Sequence, residues 1–365
     1  MMALGYRLRP RPPRRPLSFG GLAFRSIWNV AASPSRSDHG VVTALSTGLP
    51  VVDLRDDHGE LRPRLRSVAH EVGFFQLTGH GVPEALVVRL LDAARRLFAL
   101  PQADKDAVAM RNSPHFRGYT RLGGELTSGA VDWREQLDIG PENVPLVDPA
   151  EPYLRLQGPN QWPSGLPELP AVIAEWDTAL ATVGRKLLRH WAASLESPED
   201  VFDAAFAETP ATLIKVVRYP AHADSSQGVG AHRDAGVLTL LLAEPGTRGL
   251  EVRGGDGAWI EVDPLRGAFI VNIGEQLELA SGGYLRATEH RVRLSSVERI
   301  SVPYFFNPRL DAQLPVLTLP DELAAHARGV TADPSNERIF SVYGRNAWKS
   351  RLRAHPDVAA AHRYM

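Results

Sequence analysis

Gly230-Ala231-His232-Arg233-Asp234, answered downstream by His290 and then by Arg299-Ile300-Ser301, is the stretch on which the reading of this chain turns. On a strand, residues two apart point to one face. His232 and Asp234 therefore address one ion while Arg233 points away. His290 lies far enough downstream for the sheet to return with a third ligand. Two imidazoles and a carboxylate suit Fe(II), Mn(II), Co(II) or Zn(II), and can hold one face of the ion while leaving the other open. Spacing does not choose among these metals. Arg299 and Ser301 also share a strand face, and a guanidinium fork beside a hydroxyl matches a carboxylate. Tyr219, at the end of the strand before the His-x-Asp, offers a further hydroxyl to the same cavity.

Composition narrows the field. The chain has 365 residues, 44% of them apolar, and a formal net charge of −1. That length supports a large core in one big domain or two ordinary ones. Near-neutral charge argues against a nucleic-acid partner, which calls for a basic face. With no cysteine, disulfides, zinc fingers, iron–sulfur clusters and thiol nucleophiles are excluded. No apolar run approaches the roughly 20 residues of a membrane span, so a cytoplasmic protein is expected, a monomer or weak homodimer, with a small molecule as its partner and neither membrane nor nucleic acid.

Three segments are expected. Residues 1–45 read as a disordered basic tail. Seven arginines and no acid occur before Asp38, a composition shared with organelle transit peptides. Residues 46–200 read as a helical and β region. Val51-Val52-Asp53 and Gly73 to Thr78 are strands. Leu61 to Val72, a segment starting at Pro83, and Leu169 to Leu195 have helical spacing. Residues 201–365 read as a β domain with a C-terminal extension. Its strands are Leu213–Tyr219, Gly236–Ala243, Gly249–Arg253, Ala258–Val262, Ala268–Asn272, His290–Leu294 and Arg299–Phe306. The fold class is thus α+β with a mainly β core, a jelly roll carrying supporting helices.

Taken in order, these segments resemble the isopenicillin N synthase-like family of non-haem Fe(II) oxygenases. The resemblance runs from about Leu49 to Arg353. It is carried by Val51-Val52-Asp53-Leu54, Gly73-Phe74-Phe75-Gln76-Leu77, Gly79-His80-Gly81-Val82, Arg117-Gly118-Tyr119, Asp132-Trp133-Arg134-Glu135 and Asn160-Gln161-Trp162-Pro163. In the second half it continues through Arg218-Tyr219-Pro220, the His232 segment, Gly249-Leu250-Glu251-Val252, Val271-Asn272-Ile273-Gly274-Glu275, Thr288-Glu289-His290-Arg291-Val292, Arg299-Ile300-Ser301 and Phe305-Phe306-Asn307-Pro308.

The resemblance implies a double-stranded β-helix, Fe(II) held by the catalytic residues His232, Asp234 and His290, and 2-oxoglutarate held by Arg299, Ser301 and Tyr219. It implies O2 as co-substrate, with ascorbate as a reductant. The activity implied is hydroxylation or desaturation of a small organic metabolite, with release of succinate and CO2. Two alternatives keep the fold: an isopenicillin N synthase-type oxidase that does not consume 2-oxoglutarate, and a noncatalytic binding protein. By position in the resemblance, Arg117, Tyr119, Trp133, Arg218 and Phe306 are the substrate-facing candidates. Two positions depart from the pattern: Val217, where asparagine is common, and Glu275, where aspartate is usual.

Overall fold

A computed structural model describes residues 48–222, 227–330 and 339–364; the basic tail lies outside them. The first half supplies β1 (Val51–Asp53), α1 (His58–Glu71), β2 (Phe74–Thr78), α2 (Glu84–Ala99), α3 (Gln102–Ala107), β3 (Gly118–Thr120), β4 (Glu125–Thr127), β5 (Ala130–Asp132), β6 (Glu135–Ile139) and α4 (Leu169–Ser194). The second half supplies β7 (Leu213–Tyr219), β8 (Gln227–His232), β9 (Leu238–Ala243), β10 (Leu250–Arg253), β11 (Trp259–Glu261), β12 (Phe269–Ile273), α5 (Glu275–Ala280), β13 (His290–Arg293), β14 (Arg299–Phe306), α6 (Asp321–Ala324), α7 (Tyr343–Ala354) and α8 (Pro356–Ala361).

Local chemistry explains the helix boundaries. α1 starts a turn before Leu61, because the Asp57 carboxylate accepts from the free backbone N–H groups of Gly59 and Glu60. Its Leu61, Leu65, Val68 and Ala69 then form one buried stripe. α4 keeps that period for 26 residues, burying Trp176, Leu180, Leu187 and Trp191. It packs with α1 and α2 on one face of the larger sheet.

That sheet has eight strands in the order β1-β2-β12-β9-β14-β7-β6-β3, and a second has four in the order β11-β10-β13-β8. The β1–β2 pair is parallel; the other pairs are antiparallel. Four strands of the larger sheet come from the first half of the chain. Of these, β3 and β6 were not expected from sequence, nor was the β4–β5 hairpin. An apolar layer including Phe74, Val217, Val229, Val252, Ile270 and Val292 forms a separate core. The larger core includes the buried faces of α1, α2 and α4. Alternation therefore decides everything on β7 and β14: one set of side chains faces the helices, the next faces away from them.

Candidate active site

His232 ends β8 and faces His290, which opens β13; the two are direct cross-strand partners with ring centroids 4.3 Å apart. Asp234 lies beyond the strand, in the turn before β9, which corrects the expectation that a single strand carries both residues. The turn is held from below. Gly274, Glu275 and Gln276 donate backbone N–H bonds to the carbonyls of Val237, Asp234 and Gly236. A Cβ on Gly274 would stand 2.2 Å from the Gly236 carbonyl oxygen, so only glycine permits this approach.

The three side chains converge, with one ligand atom from each within 4.8 Å of the others. His232 Nδ1 is bound to the Gly230 carbonyl at 2.8 Å and His290 Nδ1 to the Thr288 carbonyl at 3.1 Å. Each Nδ1 therefore carries a proton, and each Nε2 faces Asp234 Oδ1, at 3.6 and 3.8 Å. The other carboxylate oxygen, Oδ2, accepts from Thr239 Oγ1 at 2.5 Å and Asn272 Nδ2 at 2.8 Å. Such outer bonds fix ligand orientation and basicity. Burial alone would raise the Asp234 carboxyl; His290, His232 and Thr239 reverse this and hold it well below the usual carboxylate range. Burial and the neighbouring His232 bring His290 down to about 4, so its imidazole is neutral at pH 7. His232 moves the other way: burial would lower it, but the hydrogen bond and the charge of Asp234 push it up. A divalent cation requires both imidazoles neutral and would displace that proton.

Arg299 and Ser301 sit on β14, opposite Tyr219 and Val217 of β7. All four are buried. The Arg299 guanidinium carbon lies 4.2 Å from the Tyr219 ring centroid. Its Nε and Nη2 have no hydrogen-bond partner among the described residues. Glu244 does not supply one: its oxygens go to the Ile300 N–H, at 2.7 Å, and to Arg95. Two buried, orphaned guanidinium donors are rare in native proteins and call for an acceptor. A carboxylate fits them.

Beyond Tyr219 the same face is ionic. Lys215 and Asp138 are cross-strand partners, as are Val217 and Gln136. Lys215 Nζ pairs with Glu125 at 2.7 Å and with Asp138 at 3.6 Å. Arg134 pairs with Glu125 at 2.8 Å and Asp132 at 3.3 Å, while Arg351 of α7 pairs with Asp138 at 2.5 Å. Arg134 also lies within electrostatic range of Tyr219 and His232. Glu125, Asp132, Arg134, Asp138, Lys215 and Arg351 were not site candidates from sequence, although Asp132 and Arg134 belong to a segment that carries the resemblance. Asp132 ends β5 and Arg134 lies in the two-residue link to β6, where its N–H bonds back to the Asp132 carbonyl at 3.0 Å and both side chains are buried.

Four of the remaining candidates are not brought to this face. Trp133 is exposed. Tyr119 and Arg218 lie on the opposite face of β3 and β7, where both bind Glu135, which also pairs with Lys105 at 3.1 Å. Phe306 is fully buried in the larger core, stacked on Phe206 with centroids 4.6 Å apart. Arg117 is buried beside a cavity at the far end of β7.

Comparison with known proteins agrees with this geometry. Residues 49–165 match the family model for the N-terminal region of non-haem dioxygenases in morphine synthesis, and residues 211–308 match that of the 2OG-Fe(II) oxygenase superfamily. The 2-oxoglutarate-dependent dioxygenase frbJ of Dothideomycetidae sp. (strain 11243) is 32% identical, over 85% of this chain and 90% of its own. A homoarginine-6-hydroxylase of Glycine max is 33% identical, over 69% of this chain and 78% of its own. The crystal structure of JOX2 with 2OG, Fe and JA superimposes with a TM-score of 0.65 at 28% identity, covering 86% of this chain and 89% of that one. The enzymes of this family use Fe(II), 2-oxoglutarate and O2, and no helix among the described residues is long and apolar enough to cross a membrane. On the motifs, the convergent His-Asp-His set and these matches together, the chain belongs to the 2-oxoglutarate- and Fe(II)-dependent oxygenase family and is an oxidoreductase.

Proposed function

We propose that His232, Asp234 and His290 hold the Fe(II), that Arg299 with Ser301 and Tyr219 holds the distal carboxylate of 2-oxoglutarate, and that the enzyme hydroxylates or desaturates a small organic metabolite. The observation that carries the reading is the pairing of a convergent ligand set with a buried arginine that lacks an acceptor. The same reading takes the two sheets as the walls of a double-stranded β-helix. Supporting it, β8 and β13 of the smaller sheet bring His232 and His290 together, while β14 of the larger sheet carries the clamp.

Bound Fe(II), with 2-oxoglutarate and O2, supplies the oxidant for an unreactive C–H bond and releases succinate and CO2. The chain's own residues do the rest. Gly230 and Thr288 carbonyls fix the imidazole tautomers, and Thr239 and Asn272 turn Asp234 Oδ1 toward the ion. Arg299 orients the cosubstrate by its far end, and the buried walls exclude water. No general base is needed for this chemistry.

The test is succinate formation by the Fe(II)-loaded protein with 2-oxoglutarate and O2, across a panel of amino acids and other small acids. Homoarginine belongs in the panel because a relative is named for its hydroxylation. Asp234→Ala should abolish succinate formation. Normal turnover by that variant would sink the ligand assignment.

A further inference from the structure

At the Leu213 end of β7 is a cavity of about 50 Å³, lined among others by Arg117, Leu156, Leu213, Leu310, Tyr343 and Arg351. By the space one water needs, this is room for a head group of a few atoms. Arg117 is 7% exposed, yet among the described residues its only side-chain hydrogen bond runs from Nη2 to the Leu156 carbonyl, at 3.2 Å, and its Nε has no partner. Among the described residues no carboxylate lies within ion-pair distance of it. The neighbouring cations differ: Arg351 is committed to Asp138, and Lys215 to Glu125 and Asp138. Gly140 makes the arrangement possible, since a Cβ there would stand 2.2 Å from Arg117 Nη2. A buried guanidinium without a counter-charge is costly to keep.

Register ties this cavity to the ligand set. Leu213 pairs with Phe305, and Phe305 with Thr239. The three side chains therefore stand in a row on one sheet face, the outer two separated by two strand spacings, about 10 Å. Thr239 is the residue that hydrogen-bonds Asp234. Tyr343 links the two places: it lines the cavity and lies within electrostatic range of Asp234.

We infer that this cavity seats the carboxylate of the substrate on Arg117, so that the substrate is a small carboxylic acid, amino acids included, whose oxidised carbon lies several bonds from that group. The inference rests on the assignment of His232, Asp234 and His290 as metal ligands.

Matched probes test it. Hexanoate, 6-aminohexanoate, L-arginine and L-homoarginine, each beside its own carboxamide, are titrated calorimetrically into the Fe(II)-loaded, 2-oxoglutarate-saturated protein under nitrogen. At least one acid should bind about tenfold or more tighter than its amide, the usual scale of a charge-assisted bond. Arg117→Gln should bring that ratio close to one without changing the affinity for 2-oxoglutarate. Gly140→Ala, which displaces the guanidinium while retaining it, should do the same and decides the matter if the first variant does not fold. No preference for any acid, or a preference that survives both variants, overturns the inference. Failure of the unmodified protein to bind 2-oxoglutarate would overturn the clamp assignment instead.

Discussion

Replacing Arg299 by glutamine separates a cosubstrate clamp from a structural arginine, because the two roles predict opposite effects on the empty protein. The side chain is 4% exposed, and two of its donors, Nε and Nη2, have no acceptor. Each hydrogen bond made to a charged group contributes about 1.5–3 kcal/mol. Two such bonds to a carboxylate therefore amount to about 3–6 kcal/mol, a loss of roughly 10²–10⁴ in affinity for 2-oxoglutarate. In the empty protein the balance runs the other way. An unpaired buried cation costs several kcal/mol, and its contact with the Tyr219 ring returns about 2 kcal/mol. Arg299→Gln should therefore leave the ligand-free protein at least as stable in urea. It should also abolish the stabilisation that 2-oxoglutarate gives, about 2.7 kcal/mol at a hundred times the wild-type Kd. Calorimetric titration of 2-oxoglutarate into Fe(II)-loaded protein under nitrogen reads the first effect, and urea unfolding with and without ligand reads the second. A Kd within tenfold of wild type, or a ligand-free variant destabilised by about 3 kcal/mol or more, would refute the reasoning.

Thr239→Val removes the 2.5 Å bond to Asp234 Oδ2 and should weaken metal binding about 10–100-fold with the fold intact; unchanged affinity in a chelator competition would show that Thr239 does not orient the ligand. His355 supplies a pH prediction. Burial, outweighing Glu125 and Asp138, brings it down to about 4, below the ~6.5 of an unfolded chain. The unfolded state thus takes up this proton first, and stability falls as pH drops from about 6.5 toward 4. The loss between pH 7 and pH 5 is about 2 kcal/mol. Urea midpoints of metal-loaded wild type and His355→Gln at the two pH values check this, since the variant should lack that part of the acid sensitivity.

Elements held by apolar periodicity could be read from the chain nearly to the residue. α4, with its Trp176, Leu180, Leu187 and Trp191, and the strands β7 and β14 are where pattern alone puts them. β3 to β6 could not be read that way. Glu125, Asp132, Glu135 and Asp138 are polar enough to suggest a surface, yet all are buried. Their burial depends on Lys105, Arg134, Lys215 and Arg351, which only the folded chain brings near. The same gap misdirected the choice within Asp132-Trp133-Arg134. Trp133 was a candidate by its position in the resemblance, whereas the tight link between β5 and β6 leaves it exposed and buries Arg134. The His-x-Asp, His290 and Arg-x-Ser residues were legible because the chemistry of a metal and of a carboxylate restricts residue type. Thr239 and Asn272, which aim Asp234, are ordinary residues in apolar strands and carry no such mark.

The two faces of β7 and β6 show why the unpaired cations matter. On one face Lys105, Tyr119 and Arg218 close around Glu135, and Arg218 reaches Glu298 as well at 3.1 Å. In that cluster every cation has a carboxylate, and it reads as structural. On the other face Glu125, Asp132 and Asp138 are matched by Arg134, Lys215 and Arg351, yet one buried guanidinium remains without a carboxylate at each end. Arg299 stands opposite Tyr219, and Arg117 lies by the cavity that Leu213 lines. Those two ends of β7 are about 20 Å apart along the strand. Nearer the Leu213 end, beside Thr239, comes the ligand set. A single orphaned arginine could be a cost carried for packing. Two of them, one at each end of β7, are better explained by two anionic ligands that reach toward the ion from separate places without competing for one cation.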